Sequence, residues 1–241
     1  MKFLFVGPTL PDAADIAGPD IILRPPARQG DIVGAMEEGA NVIGLIDGFF
    51  ENVAPVWHKE ILFALSKGVH VYGAASMGAL RAAECAAFGM IGIGRIFEAY
   101  ASGAIADDSA VAQIHGPAEL GHLPLSEPLV NVQTTLHALA EAGAISEAEH
   151  AALQARAEAM FFKSLTYRSL ANTADLPDPT RRQEIYGLLR ANAVNQKRID
   201  ALELLHAVAD CPNERQQPSR DWTFQANSLW RFAFHRLEIE P

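Results

Sequence analysis

Ser76 stands at the junction of two patterns: in VYGAASMGALRAAECAAFG an apolar run precedes it and a helix-like run follows. The arrangement AASMG puts a serine after a strand, before a helix and two residues ahead of a glycine. It is related to the nucleophile elbow of hydrolases, without the first glycine. Such a turn exposes the serine oxygen and aims the free amides of Met77 and Gly78, backed by the helix dipole, at an oxygen developing negative charge. Serine is equally a preferred N-cap residue, so capping competes with nucleophilic attack at this position. A serine nucleophile needs a base, and the helix-like VWHKEI that feeds the preceding strand offers His58 and Lys59. His58 titrates near neutrality, whereas Lys59 accepts a proton only if desolvation lowers its pKa. No second His and Asp pairing completes a triad. Arg81 lies five residues past Ser76, about 140° round a helix, and is expected to pair with Glu84.

The elements that must position these groups alternate in the first half of the chain. KFLFVG, DIILR, NVIGLIDG and VHVYGAA read as strands, and GDIVGAMEEGA and PVWHKEILFALSKGV as helices, the second opened by Pro55 and closed by Gly68. The fold class is therefore α/β: an N-terminal parallel sheet with crossover helices, Rossmann-like, followed by a mainly helical C-terminal part. The expected units are residues 1–125 as the core with its functional rim, and residues 126–241 as a helical region packed on that core. In an open parallel sheet the ligand crevice lies beyond the carboxyl ends of the strands. Those ends carry GPT, Asp47 and Ser76, so an acid and a serine are expected on one rim. Beyond Ser76, GMIGIG and DDSAVAQIHGP read as loop. RRQEIYGLLRANAVNQKRIDALELLHAVAD has the three-and-four spacing of one or two amphipathic helices, and the aromatic segment from Trp222 is expected to pack on the rest.

Composition narrows the partners. Nineteen basic against 29 acidic residues give a net charge of -10, which disfavours non-specific binding to nucleic acid or anionic membranes. MKFLFVGP is too short an apolar run for a signal or membrane segment, so a cytoplasmic location is expected. Cys85 and Cys211 form no CxxC, His115 and His122 have no recurring ligand spacing, and Asp107 and Asp108 precede SAVAQI as helix caps would; no metal site is expected. The glycines of GMIGIGRIF are not in GxGxxG order, and VGPTLPD is no P-loop.

LIDGFF, VWHKEILFAL, GVHVYGAASMGALRAAE, GMIGIGRIFEAYASG and EPLVNVQTTLHAL, in this order, resemble the core of the TfuA-like proteins, over approximately residues 1 to 170. The resemblance implies a companion of YcaO enzymes, which activate a peptide amide with ATP and replace its oxygen by sulfur. The TfuA-like protein would release sulfide from the thiocarboxylated C-terminus of a ThiS-like carrier with a Ser-Lys dyad, and help the YcaO enzyme engage its peptide. Carried over, the serine is Ser76 and the lysine is Lys59. No cofactor is implied. Ser109 and Ala110 stand where acidic residues are expected and Leu165 where an arginine is usual, departures that bear on a partner surface rather than on the dyad. Two other readings stand beside the hydrolase: a non-catalytic adaptor that recruits peptide or carrier to a YcaO enzyme, and a nucleotide-binding α/β protein.

Overall fold

The computed structural model describes residues 1–49, 53–116, 123–176, 178–218 and 221–234. His122, one of the two histidines weighed above, and Phe50 of LIDGFF lie outside them. The sheet is parallel and five-stranded: β1 (Lys2–Phe5), β2 (Ile21–Arg24), β3 (Val42–Leu45), β4 (His70–Ala74) and β5 (Ile91–Ile93), in the order β2-β1-β3-β4-β5. This is a doubly wound order whose progress reverses between β1 and β3, the place where such sheets open a crevice.

Alternate residues of each strand serve the two faces. Phe3, Phe5, Ile43, Leu45 and Val71 pack against α2 (Asp31–Glu37), α3 (His58–Ser66) and α4 (Met77–Cys85). Leu4, Val42 and Ala74 pack on the other side against α1 (Ala13–Ile16) and α10 (Gln196–Asp210), which contributes Ala201, Leu204, Leu205 and Val208. Gly44 admits that helix, because a Cβ there would stand 2.7 Å from Leu4 and 2.9 Å from both Leu204 and Val208. A helix from the C-terminal part thus joins α1 in forming one layer of the sheet's own core.

The remaining elements are α5 (Arg95–Ala101), α6 (Leu129–Glu141), α7 (Glu147–Glu158), α8 (Tyr167–Thr173), α9 (Pro179–Ala191) and α11 (Ser228–Ala233). Helices α6 to α9 enclose a separate core around Leu136, Leu153, Leu170 and Ile185. Two details depart from the sequence reading. GMIGIG holds β5, which three residues with a central glycine are too few to announce, and α3 starts at His58 because Pro55 bridges to Arg28 instead of opening the helix. The C-terminal chain returns over α3: Gln216 N–H donates to Gly68 O at 2.8 Å, and Trp230 buries itself among Phe63, Phe224 and Phe234 at ring separations of 5.1, 4.9 and 4.6 Å. No helix among the described residues is long and apolar enough to cross a membrane.

Candidate active site

The carboxyl edge of the sheet opens into a cavity of about 590 Å³, and Asp47, Ser76 and Met77 all line it. Ser76 reaches it through a strained turn. Its N–H donates to Ala74 O at 2.7 Å, closing a γ-turn around Ala75, the only non-glycine residue with a positive φ (66°) among the described residues. Turns of this hand are rare and cost free energy, and such strain concentrates where a side chain must be aimed. The turn is held because α4 starts in close contact with the sheet. A Cβ on Gly78 would lie 1.8 Å from Leu45 O, and one on Gly73 would lie 2.2 Å from Gly78 O.

Ser76 occupies the N-cap position of α4, yet its hydroxyl makes no cap hydrogen bond, and among the described residues it has no other side-chain partner. The oxygen that capping would use remains available on the cavity wall. The pair of free amides expected beside it is reduced to one. Gly78 N–H donates to Ile46 O at 3.1 Å, because the close approach that requires glycine also brings its amide against β3. Met77 N–H has no hydrogen-bond partner among the described residues.

Asp47 is buried and spends its carboxylate on the loop after β1: Oδ2 accepts from Gly7 N–H (2.9 Å) and Thr9 N–H (3.0 Å), and Oδ1 from the Thr9 hydroxyl (2.6 Å). These bonds lock the loop that carries Pro8 to the cavity wall. The structure does not bring Lys59 there. Its Nζ donates to Gln225 O at 2.5 Å and lies 5.2 Å from the centre of the Phe224 ring, beneath the returning C-terminal chain. Ser76 and Lys59 share no hydrogen bond here, and the lysine meets the aromatic segment from Trp222 instead. His58 is likewise engaged, its Nε2 2.7 Å from Glu84 Oε2. Arg81 pairs with the same carboxylate at 2.6 Å and donates from Nε to Val56 O at 3.0 Å, so it braces α3 against α4.

A buried amine that lines the cavity with Ser76 and Asp47 is that of Lys197, near the start of α10. It is buried, and its Nζ donates to Val111 O at 2.9 Å. Burial pushes its pKa below the ordinary lysine value, while the nearby Asp47 charge opposes the shift. Sequence reasoning missed it because QKRIDALELL reads as part of an ordinary amphipathic helix; a lysine beside its apolar stripe takes on meaning only once the fold is known. Lys163 also borders the cavity, with Phe162 and Leu80 among the apolar part of its lining. Cys85 is buried with its thiol pushed up to about 12, the state of a small hydrophobe rather than of a nucleophile. Asp107 caps the short turn Asp108–Val111 by accepting from Ser109 N–H at 2.8 Å.

A family model, that of the TfuA-like proteins, matches residues 47–166, about half of the chain. The chain belongs to the TfuA-like family. The match begins at Asp47 and includes Ser76, but stops short of Lys197. TfuA-like proteins are generally associated with YcaO enzymes, and membership of the family suggests a role linked to thioamide biosynthesis. No curated protein matches the chain.

Proposed function

We propose that this TfuA-like chain is a hydrolase that releases sulfide from the C-terminal thiocarboxylate of a ThiS-like carrier protein, for use by a YcaO enzyme in thioamidation of a peptide backbone. Support comes above all from one observation: a serine at a strained turn, its hydroxyl unspent on capping, shares a cavity with a buried lysine. Ser76 is the nucleophile and Lys197, in its neutral form, the base. Burial of the amine favours that form, as a lysine base requires.

Attack by Ser76 Oγ on the thiocarboxylate carbon forms a C–O bond, and collapse of the tetrahedral adduct breaks the C–S bond. The serine proton passes through the Lys197 amine to the departing sulfur. The products of this step are hydrosulfide and an acyl-serine ester; water then cleaves the ester to the carrier carboxylate and restores the hydroxyl. Hydrosulfide is a far better leaving group than an amine, so a single lysine suffices where a protease needs more general-acid help. The Met77 N–H, at the positive end of α4, is the donor available to the oxyanion.

The test uses the purified full chain with a thiocarboxylated carrier as sole sulfur source and measures sulfide. Ser76→Ala and Lys197→Met are each expected to reduce release by at least about 10³-fold, within the range lost when a nucleophile or its base is removed. Lys59→Met is expected to retain most of it. Loss in Lys59→Met with retention in Lys197→Met returns the base to Lys59. Full activity of Ser76→Ala overturns the hydrolase and leaves the adaptor.

A further inference from the structure

Lys197 is the second residue of α10, and its position depends on how that helix begins. The beginning is gripped by side chains of α6. Asn131 is buried; its Oδ1 accepts the Lys197 N–H at 3.1 Å and its Nδ2 donates to Asn195 Oδ1 at 3.1 Å. A backbone N–H can only donate, so the Asn131 atom facing it must be the oxygen, which fixes the amide's orientation. Asn195 Oδ1 in turn accepts from Arg198 N–H at 3.0 Å, as an N-cap does. One turn further along α6, the fully buried Thr135 accepts the Val194 N–H on its hydroxyl at 2.9 Å while donating to Asn131 O at 2.8 Å. Two α6 side chains therefore accept from the backbone N–H of Val194, just before the N-cap, and of Lys197, a first-turn donor that the start of a helix leaves without a partner.

We infer that Asn131 and Thr135 are positioning residues for the reaction: they set the start of α10 so that the Lys197 amine stands in the cavity with Ser76. This rests on Lys197 as the base. It gives NVQTT of α6, within the family-matched segment, a task that concerns a residue outside that segment. A turn held by two side-chain acceptors and a cap defines the amine's place more narrowly than the apolar contacts of α10 do, since hydrogen bonds are directional and apolar burial is not.

Thr135→Val keeps the shape and removes the acceptor; Thr135→Ser keeps the acceptor. Sulfide release from the thiocarboxylated carrier is measured for both variants and for Asn131→Ala, across pH, beside Lys197→Met. Acetic anhydride labelling of Lys197, followed by mass spectrometry as a function of pH, reports the amine itself without the reaction. Thr135→Val and Asn131→Ala are expected to lower kcat by about 10²-fold, the scale of a misplacement of roughly 1 Å, with KM within about twofold. The labelling midpoint of Lys197 should move with them, and Thr135→Ser should restore both readouts. If Thr135→Val is too unstable to purify, Asn131→Ala and the labelling carry the test. Unchanged kcat and unchanged labelling in folded Thr135→Val or Asn131→Ala overturn the positioning role. Unchanged sulfide release in Lys197→Met instead overturns the choice of base, whatever the α6 variants do.

Discussion

At the scale of single residues, the site is defined by what each group does not have to do. Ser76 stands at a cap and does not cap; Lys197 is a buried amine in a largely apolar wall; Asp47, the acid of the rim, is spent on holding the loop after β1. The residue that allows this arrangement is Gly78. Its missing side chain lets α4 approach β3 until a Cβ would stand 1.8 Å from Leu45 O, a backbone atom that cannot step aside. Gly78→Ala is therefore expected to destabilise the fold by about 1–3 kcal/mol or more, the scale of overpacking a filled core. Urea unfolding checks this, and a loss below about 0.5 kcal/mol would contradict the close approach.

At the scale of elements, α2 and α3 are joined by a buried carboxylate. Glu60 accepts from Gly30 N–H at 2.9 Å and from Trp57 N–H at 3.3 Å, tying the starts of both helices together. Burial raises its pKa from 4.5 to about 7 despite these bonds, with the Asp31 charge adding to the rise. The folded chain thus holds a proton there that the unfolded chain has released. The contribution to stability is fully present below about pH 4.5 and is lost as pH rises to about 7. Thermal melts of the parent and of Glu60→Gln should diverge across this window, with the parent falling relative to the variant as pH rises. Parallel pH profiles would remove Glu60 as the cause.

At the scale of the whole molecule, the chain closes on itself. The segment beyond Cys211 crosses α3, places Trp230 between Phe63 and Phe224, and takes the amine of Lys59. Trp230 is 1% exposed, so Trp230→Ala is expected to cost about 3–5 kcal/mol, the range for removing a buried Trp side chain, as measured by denaturant unfolding. A cost under about 1 kcal/mol would show that the segment rests on α3 without holding it.

The sequence by itself determined the strands β1 to β4, because apolar runs bounded by Gly and Pro leave little choice, and it determined that Asp47 and Ser76 share a rim, because both end parallel strands. It also marked Ser76, since a serine between a strand and a helix has few roles. It could not show what the Lys59 amine meets: the return of the C-terminal segment decides that its partner is Gln225 O. Nor could it find Lys197, 121 residues beyond Ser76, whose place depends on α10 packing beside α1 on one face of the sheet. Periodicity reports which face of a helix is buried; which neighbour it is buried against is settled by packing across the sheet.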